Sequence, residues 1–273
     1  MSLKENTVSI NGRLVHYWED GTDIQQCILL LHGGFGDAWL HWSHLFPILA
    51  KEYHLIAPDL PGYGQSERLT NMNLDSLVEW TKSILDELNI EQAIVIGNSF
   101  GALITRLFAA HYPKYTPAII LVNGGVIPSV PAFARILAMT PGVGGLLFTR
   151  LSKSTSSRTS LQAIVHVKDI LNDDFSGRVK ANVPGLAHLM RAMTLSPIPE
   201  NRTPRIPVLL LWGEEDTVTP LTVGEQIQAY IPGAKLSIIT ECGHLPHIEA
   251  PEVFVFQVTN FLRELSRSRR PEK

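Results

Sequence analysis

Residues 97–101 read Gly-Asn-Ser-Phe-Gly, and the interpretation of the whole chain starts from this stretch. It joins an apolar run, Ala93–Ile96, to a helical pattern, Ser99–His111, which stops before Pro113. The stretch matches G-x-S-x-G, in which a serine stands on a tight strand-to-helix turn with its hydroxyl exposed above the sheet. Only small residues fit two positions before and after that serine, and the two glycines meet this need. The stretch therefore predicts a nucleophile at Ser99, beside the free N–H groups that begin a helix.

Short apolar runs alternate with helical patterns around this stretch. Asn11-Gly12 is a two-residue turn signal and predicts an opening hairpin of Val8–Ile10 with Leu14–Trp18. Further strands and helices are predicted from short apolar runs, which suit a parallel sheet buried on both faces, and from helical periodicity. The strands are Cys27–Leu31, His54–Ala57, Ala93–Ile96, Ala118–Val122, Val208–Trp212 and Lys235–Ile239, and the helices are Leu74–Leu88, Ser99–His111, Val223–Tyr230 and Glu252–Arg267.

The alternation is lost between residues 126 and 205, where helical pieces are predicted at Leu161–Leu171 and Gly185–Thr194. It resumes afterwards with the strand Val208–Trp212. A strand series that is interrupted by one helical block and then continues predicts an open α/β sheet that carries an insertion.

A serine hydroxyl needs a base beside it and an acid that orients the base. Asp216 follows the strand Val208–Trp212, and His244 follows the strand Lys235–Ile239. Both therefore come just past the carboxyl ends of strands, where open α/β sheets place their sites. The order serine, aspartate, histidine predicts a triad of Ser99, Asp216 and His244.

Several neighbours compete for these roles. Glu214 and Glu215 share the loop of Asp216, and they are interpreted as solvated loop charges. Asn123 ends a strand but cannot act as the acid. His247 could replace His244 as the base, although a surface or lid contact is the expected role.

Residues 32–36, His-Gly-Gly-Phe-Gly, directly follow the strand Cys27–Leu31. Acyl transfer requires N–H donors where the tetrahedral oxyanion forms. The glycine-rich turn can present the N–H of Gly34, with Phe35 as the next candidate. The residue after the nucleophile, Phe100, would supply the second donor. His32 is expected to brace the loop and is left out of the triad.

The composition excludes several classes of function. The chain has 273 residues and a formal net charge of −3, so it has no electrostatic field suited to nucleic acid or acidic lipid. No metal-ligand spacing and no glycine-rich nucleotide loop accompany the elbow. The two cysteines, Cys27 and Cys242, are expected to be free thiols. The apolar stretch Val126–Phe148 is interrupted by Arg135, prolines and glycines, which speaks against a membrane-spanning helix.

These observations lead to expectations about partners. We expect a cytoplasmic protein without a cofactor or metal, acting on a small-molecule substrate as a monomer or homodimer. Neither nucleic acid nor a membrane is expected as a partner.

The motifs together resemble the α/β-hydrolase superfamily over nearly the whole chain. The resemblance rests on His32-Gly33-Gly34, on the elbow, on the two triad loops, and on residues 59–66, which are similar to the family's structural loop D-x-x-G-x-G-x-S. It implies a mostly parallel eight-stranded α/β-hydrolase sheet flanked by helices, with a helical cap inserted after the sixth strand. The core would comprise residues 1–125 and 206–273, and the cap residues 126–205.

Within this superfamily, a serine at the elbow argues against haloalkane dehalogenases and epoxide hydrolases, which use an aspartate. The elbow Gly-Asn-Ser-Phe-Gly is similar to that of enzymes that cleave C–C bonds in aromatic ring-cleavage products. The oxyanion loop departs from their Gly-Pro-Gly, since Gly34 is followed by Phe35. A carboxylesterase of small or medium apolar substrates is therefore the leading hypothesis. A C–C hydrolase of vinylogous diketones and a ligand receptor on a hydrolase scaffold are the alternatives.

Apolar side chains near the elbow and in the predicted cap suit an apolar acyl group or ring. The residues predicted to contact substrate are Phe35, Trp39, Phe133, Leu137, His188 and Met193.

Overall fold

The computed structural model describes residues 3–127, 131–197 and 203–268. One eight-stranded sheet forms its centre. The strands are β1 Lys4–Ile10, β2 Arg13–Asp20, β3 Cys27–Leu31, β4 His54–Pro58, β5 Ala93–Asn98, β6 Ile119–Val122, β7 Val208–Gly213 and β8 Lys235–Ile239. Their spatial order is β1-β2-β4-β3-β5-β6-β7-β8. β2 runs antiparallel to β1 and β4, and all other neighbours are parallel, which confirms the predicted fold class.

Twelve α-helices are found in the described part of the chain. They are α1 Ala38–Trp42, α2 Phe46–Leu49, α3 Leu74–Glu87, α4 Phe100–His111, α5 Ala132–Met139, α6 Val143–Thr155, α7 Arg158–Ile164, α8 Asp173–Ala181, α9 Val183–Leu195, α10 Leu221–Tyr230, α11 Pro246–Glu249 and α12 Pro251–Ser268. A short 3-10 helix, Lys168–Ile170, lies between α7 and α8.

The central strand β3 illustrates how the sheet divides the core. All of its residues are buried, and successive side chains point to opposite faces. Cys27, Leu29 and Leu31 join the cluster packed under α3, α4 and α10. Ile28 and Leu30 join the cluster packed under α1, α2 and α12. The sheet is therefore covered on both faces, and its substrate-accessible surface is confined to the tips of the strands.

Local turn chemistry accounts for the first hairpin. Asn11 and Gly12 both have positive φ, 50° and 75°, and Ile10 pairs directly with Arg13. This confirms the predicted two-residue hairpin, because two adjacent residues at positive φ are what a type I′ turn requires.

One predicted helix is divided in the structure. The predicted helix Leu161–Leu171 ends at Ile164, because Glu249 accepts hydrogen bonds from the backbone N–H groups of His166 (2.6 Å) and Val167 (3.0 Å). The carboxylate of Glu249, which is distant in sequence, thus binds the two N–H groups that would otherwise have continued the helix.

The segment between β6 and β7 is helical, as predicted, and contains α5 to α9. The boundaries proposed for a separate cap, residues 126–205, stay a prediction, and residues 128–130 and 198–202 lie outside the described residues. Polar contacts join this segment to the sheet domain. Asn182 accepts a hydrogen bond from the Gly64 N–H (2.7 Å), and Arg178 forms a salt bridge with Asp37 (3.3 Å).

The apolar helices are short. In the described ranges, no single helix is long and apolar enough to cross a membrane. The pair α5 and α6 together reaches the required length and composition, but its two helices meet at an angle of 114°.

Candidate active site

Ser99 occupies the turn between β5 and α4. Its φ of 52° and ψ of −109° lie outside the regions that non-glycine residues ordinarily adopt. Such strain persists only where the surroundings impose it, and it is common at active sites. A Cβ on Gly97 would lie 2.3 Å from the Gly101 carbonyl oxygen, and one on Gly101 would lie 2.2 Å from that of Leu31. The two glycines are therefore needed for close packing around the serine, as predicted.

Gly124 is a third glycine at this turn, and sequence reasoning missed it. A Cβ on Gly124 would lie 2.3 Å from the Ser99 carbonyl oxygen and 2.6 Å from its Cα.

We expect Gly124→Ala to displace the elbow, to lower the free energy of unfolding by about 1–3 kcal/mol and to lower kcat. Gly145→Ala is the matched control, because a Cβ there meets nothing within 4 Å. Urea denaturation and ester kinetics on both variants check this, and equal effects of the two substitutions would contradict it.

Asp216 is buried and has a full set of hydrogen-bond donors. Its Oδ1 accepts from the backbone N–H groups of Val218 (2.8 Å) and Thr219 (3.0 Å), while Oδ2 accepts from the Thr219 hydroxyl (2.6 Å). Oδ2 also accepts from the amide of Asn123. Burial alone would raise the pKa of Asp216, but the hydrogen bonds from His244, Thr219 and Asn123 outweigh it and hold the pKa below its ordinary value. The residue is therefore a carboxylate at neutral pH.

His244 is fully buried, and its Nδ1 lies 2.9 Å from Oδ2 of Asp216. Because Asp216 is ionised and can only accept, Nδ1 carries the proton and Nε2 is free to accept one. Nε2 has no hydrogen-bond partner among the described residues, so it is not yet bonded to the hydroxyl of Ser99. Hydrogen bonds of this type are often long until a reacting group is bound.

Hydrogen bonds join the backbone around His244 to the elbow and to the half-buried carboxylate of Glu249. The side chain of Asn98, which precedes the nucleophile, donates to the His244 carbonyl oxygen (3.2 Å). Glu249 accepts hydrogen bonds from the N–H groups of Gly243 (3.1 Å) and Leu245 (3.0 Å), on either side of His244. Glu249 and Asn123 are thus positioning residues that the sequence did not reveal.

The oxyanion loop is held by His32. Nε2 of His32 accepts from the Leu60 N–H (2.9 Å), so Nδ1 carries the proton and donates to the Gly33 carbonyl oxygen (2.7 Å). In a trans peptide the C=O and the following N–H point in opposite directions. The bond to Gly33 therefore turns the N–H of Gly34 away from His32. This confirms the predicted bracing role of His32.

His41 and His247 brace the next part of the loop. Nε2 of His41 donates to the Phe35 carbonyl oxygen (2.8 Å), which leaves Nδ1 as the acceptor for Nε2 of His247 (3.0 Å). The two rings stack with centroids 5.0 Å apart, and His44 donates to the His247 carbonyl oxygen. The expectation that His247 makes a surface or lid contact is wrong, because the side chain is fully buried. Sequence spacing could not place it beside a helix about 200 residues earlier.

These buried histidines predict a loss of stability in mild acid. Burial lowers the pKa of His32, and it lowers that of His41 and His247 well below the ordinary value. Below about pH 6.5 the unfolded chain therefore binds protons that the folded protein does not. The free energy of unfolding consequently decreases as the pH is lowered. Each histidine contributes up to about 1.4 kcal/mol per pH unit.

Urea denaturation between pH 7 and pH 5 checks this expectation. The same measurement on His166→Gln, which removes an exposed histidine, provides the reference for a histidine outside the buried group. A free energy of unfolding that stays constant over this range would contradict the neutral, buried state assigned to the three histidines.

A cavity of about 300 Å³ lies in front of Ser99. Ser99, Phe100, Gly34 and Phe35 contribute to its wall, so the predicted nucleophile and both predicted oxyanion donors share one space. Phe100 is the first residue of α4, where a backbone N–H has no acceptor within the helix. The remaining lining residues come from the elbow helix, the loop after β6, the helical segment and the Asp216 loop: Leu103, Gly124, Gly125, Val126, Thr155, Leu186, Leu189, Met190, Met193, Val218 and Thr219.

Among the described residues, the lining is apolar and carries no charged side chain. The polar side chains in this described lining are the hydroxyls of Ser99, Thr155 and Thr219. Since cavities for small ligands range from about 300 to 1,000 Å³, this one suits a small, uncharged and mostly apolar group.

Two of the six residues predicted to contact substrate, Phe35 and Met193, line this cavity. The other four lie elsewhere. Phe133 and Leu137 are exposed, because α5 turns Ala138 inward instead, and Trp39 packs on Trp18 with ring centroids 4.3 Å apart.

His188, the last of these four, belongs to a separate depression. This depression lies between the loop before α3 and the C-terminal half of α9, and it also contains Arg191. Leu186 and Leu189, on the same helix as His188, face the cavity instead. The orientation of α9 depends on how it packs against α6, which no local periodicity predicts.

Comparison with known proteins agrees with this geometry. The model of the alpha/beta hydrolase family matches residues 28–258. A 2-hydroxymuconate semialdehyde hydrolase from a Pseudomonas species is 29% identical over 256 residues, which cover 87% of each chain. A crystallised meta-cleavage product hydrolase from Pseudomonas fluorescens is 26% identical, with a TM-score of 0.74 over 95% of this chain and 97% of its own. A thermophilic esterase from Thermogutta terrifontis has the same fold, with 19% identity and a TM-score of 0.78 over 97% and 99% of the two chains.

Proposed function

This chain belongs to the alpha/beta hydrolase family, and we propose that it is a serine hydrolase that cleaves small, uncharged esters through an acyl-enzyme on Ser99. The observation that carries the proposal is the uncharged 300 Å³ cavity in which Ser99 shares a wall with Gly34 and Phe100.

In the proposed mechanism, Oγ of Ser99 attacks the acyl carbonyl carbon while Nε2 of His244 takes the hydroxyl proton. The negative charge that forms on the carbonyl oxygen is stabilised by the N–H groups of Gly34 and Phe100. Asp216 keeps the proton of His244 on Nδ1 and stabilises the imidazolium. His244 then gives its proton to the departing alkoxide. Water, deprotonated by the same nitrogen, releases the acid and regenerates Ser99.

The charge of the cavity wall favours this substrate class over the main alternative. Meta-cleavage products of catechols are vinylogous diketones that carry a carboxylate. A carboxylate buried without a cationic partner costs several kcal/mol. Within residues 3–127, 131–197 and 203–268, no lysine, arginine or histidine is among those that line the cavity. The C–C hydrolase remains the second candidate, because the meta-cleavage product hydrolase and the semialdehyde hydrolase are both among the similar proteins.

A matched pair of esters tests the proposal. 4-Nitrophenyl butyrate and 4-nitrophenyl hemisuccinate have acyl chains of equal length, but only the second carries a carboxylate. We expect kcat/KM to be at least about 100-fold higher for the butyrate, since an unpaired buried charge costs more than about 2.7 kcal/mol. Parallel assays follow the loss of dienolate colour from a meta-cleavage product. Faster turnover of that product than of any ester would overturn the proposal in favour of the C–C hydrolase.

The receptor alternative predicts a different result in the same assays. A binding protein on this scaffold would turn over every ester only very slowly, with a kcat that Ser99→Ala does not change. A kcat that depends on Ser99 therefore separates the enzyme from the receptor.

A further inference from the structure

The outer face of α5 and α6 is apolar and uncovered. We call the five side chains Phe133, Ile136, Met139, Val143 and Leu146 the apolar face. Four of them are between 66% and 71% exposed, and these are the four most exposed large apolar side chains in residues 3–127, 131–197 and 203–268. Scattered exposed apolar residues are ordinary in proteins, but five of them on two consecutive helices indicate an interaction surface.

Packing on the opposite side fixes the orientation of this face. Ala138 and Phe148 are buried in one cluster with Ala187 of α9. A Cβ on Gly144 would lie 2.4 Å from the Ala138 carbonyl oxygen, so α5 and α6 are in close contact. The side of α5 and α6 that carries Ala138 and Phe148 therefore faces α9, and the apolar face lies on the outside.

The charges in the stretch of sequence that carries the apolar face have a single sign. Between residues 131 and 168 the sequence contains arginines and lysines but no aspartate or glutamate, although the whole chain has a net charge of −3. Arg150 and Lys153 are exposed, and they follow Leu146 by four and seven residues. This spacing puts them on the same side of α6 as Leu146. Arg158 follows, also exposed, at the start of α7.

Apolar residues bordered by basic residues match one class of partner. Amphipathic helices that lie in the interface of a membrane bury apolar side chains among the acyl chains and direct lysine and arginine to anionic headgroups. The helix pair has the length and composition of a membrane segment, but its bend of 114° suits an element that lies along the surface instead of crossing it.

We propose that the apolar face of α5 and α6 docks on lipid bilayers that contain anionic headgroups. This proposal differs from the expectation, based on net charge, that no membrane is a partner. The net charge of the whole chain is negative, but the segment 131–168 is basic. Thr155, in the last turn of α6, lines the cavity with Ser99. Docking would therefore bring the helix that walls the cavity to the lipid surface. The proposal does not depend on the chemistry of Ser99.

Vesicle flotation with the full-length protein tests the proposal. The vesicles are phosphatidylcholine alone, or phosphatidylcholine with 30% phosphatidylglycerol. Wild-type protein is expected to float with the anionic vesicles and to bind the neutral ones at least tenfold more weakly. The double variant Ile136→Glu/Leu146→Glu should bind at least tenfold less. Phe256→Glu is the matched control, because Phe256 is 61% exposed on α12, and it should bind as the wild type does.

Two further measurements complete the test. Arg150→Gln and Lys153→Gln should each lower the partition coefficient on anionic vesicles by roughly fivefold. Turnover of a soluble ester by the double variant should equal that of the wild type, so that lipid docking and catalysis are judged separately. Failure of the wild type to float, or equal flotation of the wild type and the double variant, would overturn the proposal. A dimer in light scattering that the double variant turns into a monomer, without vesicle binding, would also overturn it and assign the face to a second copy of the chain.

Discussion

Ser99→Ala is expected to lower kcat/KM for 4-nitrophenyl butyrate by about 10⁴-fold or more. Of the three hydroxyls that the described residues place on the cavity wall, this one stands at the elbow, whereas those of Thr155 and Thr219 belong to residues outside it. Removing the nucleophile of a Ser-His-Asp triad eliminates the acyl-enzyme route and leaves only the residual effects of binding and the oxyanion donors.

The control for this variant is a measurement of whether the Ser99→Ala protein is folded and as stable as the wild type. Alanine tolerates the φ of 52° at position 99 no better than serine does, so the elbow should keep its strain and its packing. Circular dichroism and urea denaturation should therefore give wild-type values within about 1 kcal/mol. Turnover that falls less than tenfold in a folded Ser99→Ala protein would contradict the assigned nucleophile.

Asp216→Asn has the second largest expected effect. The Oδ2 atom of Asp216 accepts three hydrogen bonds, from His244, Thr219 and Asn123. An amide NH₂ in this place would donate to Nδ1 of His244, and the proton of the imidazole would move to Nε2. That nitrogen could no longer accept the proton of Ser99, and kcat should fall by about 10⁴-fold.

Glu215→Gln is the matched control for Asp216→Asn. Glu215 lies in the same loop, one residue earlier, and its side chain is exposed. Because it takes no part in the hydrogen bonds of His244, the variant should keep kcat within about twofold of the wild type. Steady-state kinetics of the two variants on one ester check the assignment. Comparable losses from both substitutions would show that the loop, and not the carboxylate of Asp216, matters.

Much of the sheet could be predicted because its signals are local. A two-residue turn at positive φ, strands without polar interruptions and helices with a regular apolar period all lie within about fifteen residues of sequence. Strand tips also converge by topology, so Ser99, Asp216 and His244 could be located together without coordinates. The structure brings Asp216 and His244 within 2.9 Å, and it brings Ser99, Gly34 and Phe100 to one cavity. The catalytic roles of these residues stay predictions.

The supporting residues could not be predicted, because their contacts join distant parts of the chain. Asn123 reaches Asp216 across 93 residues, and His41 reaches His247 across 206. Glu249 accepts hydrogen bonds from N–H groups on both sides of His244. It also accepts from the N–H of Val167, 82 residues earlier and just after the end of α7. Such contacts form only when helices and strands that are distant in sequence have packed together in the folded protein. The spacing of residues in the sequence therefore does not predict them.

The helical segment between β6 and β7 was the least predictable part for a related reason. Its helices are apolar on several sides, so the sequence alone does not specify which side faces Ser99. Met193 of α9 lines the cavity with Ser99, whereas Phe133 of α5 is exposed at the surface.

An activated Ser99 is the central feature of the proposed mechanism, and labelling with a fluorophosphonate probe tests it most directly. The folded protein is incubated with the probe, and intact mass and peptide mapping locate the adduct. The expected result is one adduct per chain, on Ser99, formed at least about 10³-fold more slowly in Asp216→Asn and absent from Ser99→Ala. An unlabelled Ser99 in folded protein, or an adduct on another residue, would contradict the account.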